Sequence, residues 1–284
     1  MSFHLAGIIP VAGQPLDFKM PWHDALMPLS PDYLAVERCV LECAYAGCET
    51  IWIVCNDDIS PLIRYKIGEF VQDPVWYYRR FEKGKQDFQK KIPIYYVPIH
   101  PKDRNKRDCL SWSVLHGAYS ANDVAAKIST WLKPDKFYVS FPYAYYNPEE
   151  LRKWRKEISS YRKFFLSFDG KTVVNGEYLG FTFSKADYEK LMSEVKEKST
   201  GLWNEDRTEK LPLNERFSYR FFSLEEVFKS LKLFKTYEVK EYWNIDNWLS
   251  YCEFVGSKGK SLIKPPEYIL NYHEWNDIGV DETN

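Results

Sequence analysis

Three groups of side chains in this 284-residue chain have the types and spacing for chemistry on a charged ligand. The run Lys102-Asp103-Arg104-Asn105-Lys106-Arg107 places four cations in six positions directly after a strand-like segment. There they could receive phosphates, and the competing expectation is a solvated charged turn. Tyr143, Tyr145 and Tyr146 follow a second apolar segment, Lys136–Phe141 (KFYVSF). Their rings could stack on a sugar or base, or simply plug the space where a ligand would sit. Asp57 and Asp58 follow a third such segment and offer carboxylates to a hard cation. His116 is a lone imidazole in an apolar helical stretch, which favours a packed core residue over a catalytic one. No Ser-His-Asp or Cys-His spacing is present, and no HExxH, Walker or GxGxxG pattern.

These groups matter only if strands bring their trailing ends together. Leu5–Ala12 (LAGIIPVA), Thr50–Cys55 (TIWIVC), Ile92–Val97 and Lys136–Phe141 are short, nearly continuous apolar runs suited to buried parallel strands. Helical patterns open at Pro31-Asp32 and stop at Gly47, and extend over Ile59–Val71 and Cys109–Leu132, with a break expected near Gly117. Pro148–Ser159 reads as a charged amphipathic helix. Such alternation implies right-handed βαβ units and a parallel sheet. The expected fold is therefore three-layer α/β/α, Rossmann-like, with a small C-terminal mixed α/β subregion. In that subregion Lys163–Asp169 and Thr172–Phe183 read as strands turned at Asp169-Gly170. Lys185–Lys198 and Ser223–Leu231 read as helices, the latter with a capping box, Ser223-x-x-Glu226. Thr236–Val239 reads as a strand and Asn247–Phe254 as a helix, and Thr200–Asn214 as a polar loop. We expect one domain over 1–256, with 72–91 as an extension and 257–284 as a peripheral tail.

Thirty-nine basic and 40 acidic side chains leave a net charge of −1, so general nucleic-acid binding through phosphate neutralisation is not expected. The six cysteines form no CxxC pair and lie mostly in apolar segments, which fits buried thiols in a reducing compartment. With no basic leader and no run of 18 apolar residues, neither a signal peptide nor a membrane span is expected, and a cytoplasmic location follows. Aromatic residues reach 17% of the chain, which first of all means a ring-rich core.

Read in order, Ile8–Gly13 (IIPVAG), His23–Leu29 (HDALMPL), Ala46-Gly47 and Ile51–Asp57 (IWIVCND) form a connected pattern. It resembles the opening of the sugar-nucleotide pyrophosphorylases and cytidylyltransferases, the nucleotidyltransferase-type nucleotide-diphospho-sugar transferases. There an apolar strand, a Gly-rich loop and a "PK-A-LLPV" segment lead into a helix ending in "AG" and a strand like "I-IVTN". Looser echoes follow in Glu177–Phe183 (EYLGFTF) and Tyr242–Tyr251 (YWNIDNWLSY). The resemblance implies a GT-A-like fold and a bound nucleotide or nucleotide-sugar. It also implies Mg²⁺ and transfer of a nucleotidyl group to a phosphorylated sugar or alcohol.

By that resemblance Gly13 and Lys19 would meet phosphate, with His23 assisting; their places after strands add Arg104 or Arg107 as supporting charge and put Tyr143 at the ligand. Asp246 would be the metal ligand. The chain departs from the pattern in two places. Its first loop has no second glycine between Gly13 and Pro28, and Asp24 stands where the family has lysine. Its Lys136–Phe141 strand runs into Pro142-Tyr143 with no carboxylate. A degenerate member serving as a binding or structural subunit, with a protein partner or a homo-oligomer, is therefore the alternative. A GT-A glycosyltransferase is a minor one, since Asp57-Asp58 lacks the D-x-D spacing.

Overall fold

The computed structural model describes residues 3–13, 20–77, 90–104, 107, 109–128, 133–200, 208–209, 222–233 and 235–258. Strand β1 (Leu5–Pro10) is buried along its whole length. It sends Leu5 and Ile9 into one apolar cluster and Ala6 and Ile8 into another. After the hairpin of β2 (Pro28–Ser30) and β3 (Tyr33–Leu34), strand β4 (Thr50–Val54) divides its side chains the same way. Ile51 and Ile53 enter the first cluster, Trp52 and Val54 the second. The two-residue period of a strand assigns the sides, and continuous apolar runs require that both be covered. The helix Ala35–Ala46 covers the first face, and the helices Leu110–Ile128 and Lys185–Thr200 cover the second. The three layers expected from the sequence are present.

The remaining strands are β5 (Phe70–Gln72), β6 (Lys91–Val97), β7 (Lys136–Val139), β8 (Ala144–Tyr145), β9 (Phe165–Ser167), β10 (Phe181–Ser184), β11 (Thr236–Glu238) and β12 (Trp243–Asn244). The main sheet runs β11-β9-β10-β7-β1-β4-β6-β5. Strands β7, β1, β4 and β6 are parallel neighbours, and β9 and β11 are parallel to each other. Strand β10 lies antiparallel between β7 and β9, and β5 antiparallel to β6. A separate two-stranded ladder joins β8 to β12.

Several local expectations need correction. The Gly13–Ser30 loop contains β2, and Pro31-Asp32 is the turn of the β2–β3 hairpin, with Asp32 at φ 57°. The helix therefore begins only at Ala35. The expected helix through Val71 stops at Ile67, and the chain turns at Gly68 to form β5 against β6. Gly117 does not break its helix. A β-carbon there would lie 2.7 Å from Ile8 Cγ2 and 2.8 Å from Val54 Cγ2, so the glycine lets the helix press onto the sheet. Pro148–Trp154 is a 3-10 helix, followed by one α-turn at Arg155–Ile158. The turn at Asp169-Gly170 is present, with φ 48° and 73°, but the chain after it forms a 3-10 turn at Val173–Asn175 before β10. The Ser223–Glu226 capping box is present. Residues 78–89 of the expected extension and most of Thr200–Asn214 lie outside the described residues. Among the described residues, no helix is long and apolar enough to cross a membrane.

Candidate functional site

In an open α/β sheet, ligands bind beyond the carboxyl ends of the strands, where successive connections leave in opposite directions. From β1 the chain proceeds to β4 and β6 on one side, then returns to β7 on the other. The switch point therefore lies between β1 and β7. Val11, Ala12 and Gly13 leave one lip of it, and Ser140 to Tyr143 leave the other.

The β1 exit is held from every side. The amides of Val11 and Ala12 both donate to Val54 O, at 2.9 and 2.8 Å. Ser113 Oγ, one turn into the long helix, donates to Ala12 O. Tyr143 OH reaches across the switch point and donates to Val11 O at 3.1 Å. Gly13 then turns the chain at φ 83°, against the backbone that opens the Leu110–Ile128 helix. A β-carbon at Gly13 would stand 2.5 Å from Cys109 C and 2.6 Å from its carbonyl oxygen. The Gly13→Ala variant therefore meets both a left-handed penalty of about 1–2 kcal/mol and a collision with fixed backbone. Its thermal midpoint is expected to fall by several degrees, and an unchanged midpoint would show that this loop can move away freely.

Beneath the β7 exit lies a polar network that the sequence did not announce. Arg38 and Glu42, on the Ala35–Ala46 helix, form an ion pair at 2.7 Å with no exposed surface. Glu42 also accepts from Tyr138 OH at 2.5 Å, Ser140 Oγ at 2.5 Å and Tyr146 OH at 2.6 Å. Arg38 donates to Phe141 O at 2.6 Å, and its guanidinium carbon lies 4.5 Å from the centre of the Tyr146 ring. One carboxylate and one guanidinium thus brace β7, its exit and Tyr146, the residue after β8, together. Glu37, Arg38 and Glu42 lie among apolar neighbours on a helix whose twelve residues are all buried.

The candidate residues separate into two groups. Gly13 and Tyr143 meet at the switch point, and Asp246 follows Ile245, whose amide donates to Tyr143 O at 2.9 Å. Tyr143 has no exposed surface, and its ring packs on Tyr178 at 5.4 Å. Burial pushes its hydroxyl pKa well up, with the Asp24 carboxylate adding to the effect. His23 accepts the Ala25 amide on Nδ1, and burial lowers its pKa against the opposing pull of Asp58. Lys19 lies outside the described residues.

Arg104 and Arg107 stand at the β6 side. Arg104 bridges Ile99 O at 3.0 Å and the Asp57 carboxylate at 3.3 Å. Arg107 is buried, paired with Asp103 at 2.5 Å, and lies over the Trp112 ring at 4.8 Å. Both charges are therefore partly balanced by neighbouring acids. His116 donates from Nε2 to Pro98 O at 3.1 Å, and burial lowers its pKa, as suits a neutral structural imidazole.

The donor set does not fit a resident Mg²⁺. Asp246 Oδ1 already accepts from Asn247 Nδ2 at 2.8 Å. Among the described residues, no group of three or more His, Cys, Asp or Glu converges on one point. A hard cation held by one protein carboxylate is weakly bound.

No protein-family model matches the chain, and no curated protein matches it in sequence. Solved structures do match in three dimensions. A UDP-glucose pyrophosphorylase complexed with UDP-glucose aligns over 91% of this chain and 99% of its own, at 14% identity and a TM-score of 0.51. A UTP-bound UGPase from Acinetobacter baumannii aligns over 94% and 95%, at 13% identity and a TM-score of 0.52. A candidate glucose-1-phosphate thymidylyltransferase from Bacillus anthracis aligns over 89% and 94%, at 10% identity and a TM-score of 0.50. At such identities the likeness is one of fold, and it spans nearly the whole of each partner: this chain is a divergent bearer of the nucleotide-sugar pyrophosphorylase fold.

Proposed function

We propose that the chain binds a nucleotide or nucleotide-sugar at the β1/β7 switch point and transfers a nucleotidyl group to a phosphorylated sugar or alcohol. The observation that carries this reading is the end-to-end match to a pyrophosphorylase that holds UDP-glucose. The local geometry supports it. Gly13 turns against the amino end of a 19-residue helix, where amide dipoles favour phosphate. Lys19 is the proposed phosphate-facing cation, with His23 beside the same loop and Arg104 and Arg107 as more distant charge. Tyr143 acts from below, by fixing Val11. Asp246 is the proposed carboxylate toward any metal that the phosphates bring with them.

The test is a thermal-stability screen against the common nucleoside triphosphates and nucleotide-sugars, with and without Mg²⁺, followed by a pyrophosphate-release assay with a sugar 1-phosphate. A ligand at about one hundred times its dissociation constant adds roughly 2.7 kcal/mol to apparent stability. Stabilisation by one base, with pyrophosphate release, is the expected result. Stabilisation without turnover would assign a binding role instead, and no stabilisation by any nucleotide would overturn the reading.

A further inference from the structure

At the other end of the sheet, the residues leading into β9 and β11 line a cavity of about 1000 Å³. Its wall presents Lys156, Arg162, Lys163 and Lys235 against a single acid, Glu157. Lys163 is paired with Asp187 at 2.7 Å. Among the described residues, the side chains of Lys156 and Arg162 make no hydrogen bond or ion pair. Lys235 lies over the Tyr237 ring at 4.9 Å, and Tyr237 is itself stacked on Phe164 at 4.5 Å. Tyr161, at the same wall, is 83% exposed.

Four cations on a concave wall, with Glu157 and Asp187 as the acids beside them, leave a basic excess that raises the local potential for an anion. The volume is that of a small-molecule pocket, at the upper end of the usual range. The exposed Tyr161 ring supplies an apolar surface beside the charge. The loop that carries Arg162 is also fixed from inside. Lys136 Nζ donates to the carbonyls of Ile158, Ser160 and Arg162, at 2.9, 2.9 and 2.5 Å, which leaves the outer side chains free for a ligand. A wall ordered in advance loses little entropy on binding.

We propose that this cavity binds a small phosphorylated molecule with a planar or apolar body. Arg162, Lys156 and Lys235 take the phosphoryl group, and the exposed ring of Tyr161 takes the body. The site is separate from the β1/β7 switch point and does not depend on the function proposed for it.

Pyridoxal 5′-phosphate is a suitable probe for the whole chain. Its phosphate and ring test recognition, and its aldehyde condenses with a lysine amine to an imine, expelling water. Borohydride then reduces the imine, and peptide mapping locates the label. Lys156 and Lys235 are expected to be labelled at least about tenfold more than the exposed Lys127 and Lys190, which corresponds to roughly 1.4 kcal/mol of preference. Excess phenyl phosphate should protect them. Arg162→Glu, at an exposed side chain without partners among the described residues, should reduce their labelling about tenfold while leaving the thermal midpoint and any nucleotide response unchanged. Even labelling over all exposed lysines, or labelling indifferent to Arg162→Glu, would overturn the proposal. Protection by poly-glutamate but not by phenyl phosphate would overturn it too, and would assign the wall to an acidic polypeptide.

Discussion

Glu42→Ala is expected to lower folding stability by about 3–5 kcal/mol, the range for removing one partner of a buried ion pair. The reason is specific to what remains. Arg38 would keep its charge at a position with no exposed surface, with only the Phe141 carbonyl, the Cys39 sulfur and the Tyr146 ring around it. Three hydroxyls, on Tyr138, Ser140 and Tyr146, would lose their shared acceptor at the same time. Glu42→Gln keeps the shape and part of the hydrogen bonding, so its loss should be smaller. The double variant Arg38→Met with Glu42→Leu removes both charges together and should recover much of what Glu42→Ala loses. Urea unfolding of the three variants measures this series. A Glu42→Ala loss under about 1 kcal/mol would mean that the guanidinium finds water, contrary to the geometry.

Raising the pH above about 9 is expected to unfold the chain steeply, because many buried groups can ionise only after unfolding. Burial pushes the pKa of Tyr33, Tyr138, Tyr143 and Tyr146 well up. It raises Cys39 and Cys55 to about 11 and moves Cys43 in the same direction. A group whose pKa is higher in the folded chain stabilises fully below its unfolded value. That stability is lost as pH rises from the unfolded value toward the folded one. Each such group removes about 1.4 kcal/mol per pH unit within its window. The thiols act first, above about pH 9, and the phenols follow above about pH 10. Lys136 works the other way, since burial lowers its pKa to about 8 and the unfolded chain then binds the extra proton. One opposing lysine does not offset seven groups. Thermal midpoints across this range, read beside tyrosinate absorbance, test the point. A fold that persists at a pH where every tyrosine has become tyrosinate would contradict it.

The sheet was readable because its strands are buried on both faces. Leu5–Ala12 and Thr50–Cys55 are unbroken apolar runs for the same reason that β1 and β4 feed both clusters. The Ser223–Glu226 box was readable because capping is local chemistry. The β2–β3 hairpin was not, since strands of two and three residues leave no period to detect. The β8–β12 pairing joins Tyr145 to Trp243 across nearly a hundred positions, and no local signal encodes it. The brace of Arg38 and Glu42 was not readable for a different reason. Charges four apart on a helix usually face water, and only the burial of this entire helix turns them into an internal brace. At the site, Gly13 was expected to meet phosphate, and the structure gives it a left-handed turn at φ 83°. Tyr143 admitted two readings, and the structure buries its ring completely, so that its visible role is to tie Val11 to the β7 exit.

The most direct test of the nucleotide site is amide hydrogen exchange of the chain with and without the nucleotide that stabilises it most. Binding at the switch point predicts slower exchange in peptides containing Gly13, Asn56–Ile59 and Tyr143–Tyr146, with residues 156–163 unchanged. Protection confined to residues 156–163 and 235–237, or absent everywhere, would place the ligand outside the β1/β7 crevice and contradict the assignment.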